Sequence, residues 1–112
     1  MSTRKKISTE NKKKSIFHEK VGIKDKAVVL FYATWCPFSR AFLPIFEEYS
    51  KSNPEECLSV IVDEEPDVCE EYGIEYYPTV IMFKKEIVRK RLDAEPHVGL
   101  SKKQLKDFTA KE

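Results

Sequence analysis

The chain has 112 residues, 41% of them hydrophobic, with a formal net charge of +1. That length is one domain with one modest core, and no apolar stretch approaches the ~20 residues of a membrane-spanning helix. Three cysteines argue against a disulfide-stapled scaffold, and their spacing with His18 and His97 fits no standard zinc pattern, so no metal and no cofactor are expected.

The near-zero charge hides an uneven distribution. Residues 1–26 carry nine Lys/Arg against three Asp/Glu, 47–75 eleven acids against one lysine, and 84–112 nine bases against five acids. These are solvated faces and a basic tail that can steer the chain toward an acidic partner. No aromatics interleave with the bases as in a nucleic-acid groove, so no nucleic-acid partner is expected. The start, Met1-Ser2-Thr3-Arg4-Lys5-Lys6, has no apolar segment behind it, so no secretory signal is read. The expected location is cytoplasmic. The alternative is the secretory-pathway lumen, for a chain whose signal has been trimmed.

Residues 1–14 are polar and lysine-rich, and are expected to be a mobile tail or at most a short edge strand around Ile7. Residues 15–112 are expected to form the domain. Ser15 can cap a short helix from Ile16 to Val21, closed by Gly22. Residues 27–33 form a continuous β-branched and aromatic run, the pattern of a strand buried on both faces. Phe38, Phe42, Ile45, Phe46 and Tyr49 then recur at helical spacing. Pro37 suits the first turn of that helix, Pro44 should kink it, and Ser50, Ser52, Asn53 and Pro54 end it.

Leu58 to Val62 is a second strand. Pro66 to Tyr72 is a short acidic helix stopped by Gly73. Val80 to Phe83 and Ile87 to Leu92 are strands joined tightly through Lys84-Lys85-Glu86, and Ser101 caps a last helix with Leu105 and Phe108 inward. Strands linked through helices should run parallel and the last two antiparallel. The fold class is therefore α/β, a mixed sheet of four to five strands with helices on both faces.

These residues resemble the thioredoxin superfamily. Val29-Leu30-Phe31-Tyr32-Ala33-Thr34-Trp35-Cys36 is similar to the strand and active-site entry of thioredoxins and protein disulfide isomerases. Pro44 matches the kinking proline of the active-site helix. Tyr72-Gly73-Ile74 with Tyr77-Pro78-Thr79 matches the tyrosine-glycine-isoleucine and cis-proline loop, and Leu100-Ser101-Lys102-Lys103-Gln104-Leu105 the last helix. The match covers about residues 16–111.

Three positions depart from the pattern. Ser39 replaces the second cysteine of Cys-x-x-Cys. Leu30 stands where the family has a buried acid serving that thiol. The usual glycine of the last hairpin is absent at Lys85-Glu86. Within the superfamily, Trp35-Cys36-Pro37-Phe38-Ser39-Arg40 is most similar to disulfide-isomerase-like members with Cys-x-Phe-Ser sites, some of which retain clients through mixed disulfides. Monothiol glutaredoxins share that site, but they hold glutathione with a Gly-Gly pair that Gly22, Gly73 and Gly99 do not supply.

Cys36 lies at the start of a predicted helix, where unsatisfied N–H groups and the helix dipole favour thiolate. Ser39, one turn on, can donate a hydrogen bond to it. Cys36 and Ser39 are the candidate catalytic residues. By resemblance, Trp35, Pro37, Tyr77 and Pro78 form the substrate-binding set, with Pro78 cis and the Tyr77 backbone pairing with an extended client.

The expected activity is thiol–disulfide exchange, isomerase or capture in type, on protein clients or small thiols. Release depends on an external thiol or the client's own second thiol. A Cys36–Cys36 disulfide-linked dimer is conceivable, because no internal thiol competes. Cys57 and Cys69 are expected to be buried apolar fillers distant from Cys36, and His18 and His97 ordinary exposed residues. The rival reading is a redox-inactive adaptor that binds partners non-covalently through the Trp35–Pro78 groove. A cysteine-to-serine trapping substitution at Ser39 is argued against by Leu30, since such a variant would keep the acid.

Overall fold

The structure, a computed structural model, is described here for residues 17–110. The tail through residue 14, the strand considered around Ile7 and the Ser15 cap lie outside them. Residues 17–22 are helical (α1). They are followed by β1 (Ala27–Tyr32), α2 (Pro37–Ser52), β2 (Cys57–Ile61), a 3-10 turn at Val62–Glu64, α3 (Pro66–Glu71), β3 (Thr79–Lys84), β4 (Ile87–Asp93) and α4 (Lys102–Ala110). The strands form one mixed sheet in the order β2-β1-β3-β4.

Side-chain alternation along β1 explains its unbroken apolar sequence. Val28 and Leu30 point into a cluster with Phe42 and Phe46 of α2 and Leu105 of α4. Ala27, Val29 and Phe31 point the other way, toward Phe17, Val21 and Val68. Both faces are thus covered by helices, and each large β1 side chain adds about 1.5–3 kcal/mol by leaving water. Phe17 anchors α1, with its ring 6.2 Å from Phe31, 6.0 Å from Tyr72 and 6.0 Å from Phe83.

One strand direction differs from expectation. β1 and β2 pair in parallel, Val29 opposite Leu58. β3, although it follows a helix, is antiparallel to β1, Val29 opposite Ile81. The connection, a 3-10 turn, the six-residue α3 and the loop to Thr79, brings the chain back to the end at which β2 left the sheet, so it does not make the crossover that parallel pairing needs. β3 and β4 are antiparallel as expected, with an irregularity at Met82/Phe83. Their turn takes positive φ at both Lys85 (53°) and Glu86 (74°), the geometry for which glycine is usual. α4 opens with a reciprocal capping box: the Gln104 N–H donates to Ser101 Oγ (3.2 Å) and the Ser101 N–H to Gln104 Oε1 (2.9 Å).

Candidate functional site

Four segments meet at the carboxyl end of β1. They are the β1–α2 junction, the 3-10 turn after β2, the loop between α3 and β3, and the loop after β4.

Cys36 is the N-cap of α2, with extended backbone (φ −94°, ψ 123°) and Pro37 in the first turn. Its carbonyl accepts the Arg40 N–H at 3.0 Å. The N–H groups of Phe38 and Ser39 have no intrahelical acceptor and crowd the sulfur's end of the helix. Cys36 is 9% exposed, and its thiol is directed at the Tyr77 carbonyl, with Sγ 3.7 Å from the oxygen. The Tyr77–Pro78 peptide is cis. The sequence-predicted Cys36, Pro37, Tyr77 and Pro78 therefore converge.

Ser39 is fully buried. Its hydroxyl oxygen accepts the Ala33 N–H at 3.1 Å, tying α2 back to the chain leaving β1. In this thiol form Cys36 bonds Tyr77 and not Ser39, which differs from the sequence expectation. The Ser39 proton remains unassigned by that bond.

Leu30 lies on the α2–α4 face of β1 among Phe42, Phe46, Val80 and Met82, all buried. The position that would hold a proton-transferring acid is hydrocarbon.

Trp35 is 60% exposed. Two contacts hold it in place: its indole N–H donates to Asp63 Oδ2 at 2.9 Å, and its ring meets Tyr77 edge-on at 5.8 Å. Tyr76 and Val98 are also exposed apolar residues of the converging segments. In the loop after β4, Gly99 has φ +82°, and a Cβ there would lie 3.0 Å from Phe38 Cδ1. A side chain at 99 would push that loop off the first turn of α2. Asp63, Gly99 and Arg91 (below) were not singled out from sequence. Each acts through a partner many residues away, and only the excess of acids around 63 hinted at one of them.

The remaining thiols differ in kind from Cys36. Cys57 sits on the far side of the sheet, against the α2–α4 cluster. Burial, with Glu56 alongside, pushes its thiol up to about 11. Cys69 is in the same core cluster as Cys36, with Sγ 3.9 Å from the Val62 carbonyl oxygen. Burial and then Glu65 and Asp63 push it up as well. Both are poor thiolates at neutral pH. All three cysteines are free. His18, expected to be exposed, is half-buried by its contacts with α3, its Nε2 3.1 Å from Glu71 Oε2 and 3.3 Å from the Tyr72 hydroxyl. His97 is exposed, with φ +66°. No helix of the described residues is long and apolar enough to cross a membrane.

Comparisons with known proteins agree with this fold. The thioredoxin family model matches residues 7–111. Human endoplasmic reticulum resident protein 44 is 39% identical over 75 residues, which are 60% of this chain and 18% of that protein. The chain thus matches less than a fifth of that relative's length. A thioredoxin of Rickettsia bellii is 39% identical over 71 residues, 61% of this chain and 68% of that one. Among solved structures, a Plasmodium falciparum thioredoxin superposes with a TM-score of 0.75 at 27% identity, covering 85% of this chain and 89% of the other.

Proposed function

The chain belongs to the thioredoxin family of thiol–disulfide oxidoreductases, and from that premise we propose that it exchanges disulfides through one thiol, Cys36, by forming mixed disulfides with protein clients or small thiols. The observation that carries this reading is the Cys36 sulfur at the N-cap of α2, 3.7 Å from the Tyr77 carbonyl, with a hydroxyl at Ser39 where a second thiol would resolve the product.

The Cys36 thiolate attacks one sulfur of a disulfide R–S–S–R′. The Cys36–S–S–R bond forms as the original S–S bond breaks. R′–S⁻ departs with the electron pair and takes a proton from solvent, so no electrons are gained or lost overall. The Ser39 hydroxyl, whose oxygen takes the Ala33 N–H, can turn its O–H to hydrogen-bond the thiolate while keeping its own proton, and Trp35, Pro37, Tyr77 and Pro78 receive the client. An external thiolate, or the client's own second thiol, then attacks the client sulfur and restores Cys36. Without a client, a small disulfide that accepts two electrons and leaves as two thiols could join two Cys36 sulfurs into a dimer. The compartment, cytoplasm or secretory lumen, sets which external thiol serves.

Intact-mass measurement after incubation with a disulfide-bonded peptide tests the proposal. The wild-type protein should gain one half-peptide, and Cys36→Ala should gain none; adducts that persist in Cys36→Ala would move the chemistry to Cys57 or Cys69. The exposed Trp35, Tyr76 and Val98 favour the adaptor as a second reading. It predicts peptide binding that is unchanged by Cys36→Ala and leaves no adduct.

A further inference from the structure

The loop that carries Tyr77 and Pro78 hangs between two anchors, and both come from one end of β4. At its start, the Arg91 guanidinium donates to the Tyr72 carbonyl (2.6 Å) and the Gly73 carbonyl (3.3 Å). At its finish, the Ala94 N–H donates to the Pro78 carbonyl at 3.0 Å, and Thr79 pairs with Asp93. Asp93 in turn fixes the guanidinium by two bonds, Nε–Oδ1 at 2.8 Å and Nη2–Oδ2 at 3.0 Å. All the Arg91 donors named here are oriented by a planar fork that lysine cannot reproduce. Between the anchors, Thr79 Oγ1 donates to the Tyr76 carbonyl at 2.6 Å, so the segment has little freedom to absorb a shift at its first foot.

We propose that Arg91, pinned by Asp93, is a positioning residue for client docking. It holds the first foot of the 74–78 loop, so that the Tyr77 backbone stays in register with the Cys36 sulfur. Arg91 touches neither sulfur nor client. It acts on reactions that need an extended peptide backbone beside Tyr77, and leaves those of a disulfide too small to reach it. The inference rests on the exchange reading above. The exchange step is the same balanced one, with the peptide disulfide as the electrophile.

The test compares two second-order rates of mixed-disulfide formation at Cys36, one with a disulfide-bonded extended peptide and one with a small symmetrical aromatic disulfide. For Arg91→Met the peptide rate should fall about tenfold, while the small-disulfide rate stays within about twofold, as a displaced docking backbone predicts. Arg91→Lys should fall between Arg91→Met and wild type. If Arg91→Met does not fold, Asp93→Asn, which loosens the fork without removing it, should show the same selectivity in smaller degree.

Equal losses in both rates, or no loss in either, would overturn the positioning role. A wild-type protein that reacts with the small disulfide but not the peptide also overturns it and leaves exchange standing. One that reacts with neither overturns exchange, and this role with it.

Discussion

Replacing Leu30 with aspartate probes the dry side of the site. Leu30 is fully buried and surrounded by hydrocarbon from Phe42, Phe46, Val80, Met82 and Leu105. Removing the isobutyl group alone costs about 2–5 kcal/mol, by analogy with large-to-small core substitutions. The new carboxyl adds a pH-dependent cost. With no charged partner in that cluster, burial should raise its folded-state pKa by about 3 units above the ordinary ~3.9. At ~1.36 kcal/mol per unit this is a further cost of about 4 kcal/mol once the unfolded state is ionised.

The sign follows from proton binding. Between about pH 4 and pH 7 the native state holds a proton that the unfolded chain has released, so stability falls as pH rises, then levels off. Urea unfolding of wild type, Leu30→Asp and Leu30→Asn at pH 4.5 and 7.5 measures it. The penalty of Leu30→Asp should grow by roughly 3–4 kcal/mol across that interval, while that of Leu30→Asn stays constant. A pH-independent penalty for Leu30→Asp would mean that water or a polar group reaches position 30. Position 30 would then have room for a thiol-serving acid after all.

Two further predictions concern stability and reactivity. Gly99→Ala should lower stability by about 1–3 kcal/mol, because φ is +82° and the added Cβ would lie 3.0 Å from Phe38; chemical denaturation checks it, and a neutral result would show that the loop gives way freely. In Cys36→Ala, alkylation at pH 7 should be slow and should accelerate as pH climbs toward 11, since burial holds Cys57 near that value and Cys69 is shifted the same way. Fast labelling at neutral pH, located by peptide mass mapping, would contradict the burial argument.

Much of this architecture was legible because it is written in local patterns. The apolar run of β1 needs both faces covered, and both are. The helical spacing of Phe42 and Phe46 marked the buried face of α2, though Ser39 completes it and Phe38 packs against the other cluster. Ser101 with Gln104 closes a cap within one turn. What was not legible depends on distance. Nothing within residues 66–71 says that β3 returns antiparallel; that is decided by the path of the whole connection from Val62 to Pro78. Trp35 meets Asp63 across 28 residues, and Arg91 meets Tyr72 across 19. Neither pairing has a period or a spacing rule to reveal it.

The bond from the Ala33 N–H to Ser39 has a consequence for any exchange of the residue at 39. A single codon change can turn that serine into cysteine, but sulfur is a poor acceptor, and a buried N–H left wanting costs about 1–3 kcal/mol. The same step would gain a second thiol with no acid at Leu30 to serve it. Ser39→Cys by itself should therefore lose stability, and its new thiol would be served only if position 30 changed with it: the two positions, on different elements, behave as one unit of substitution.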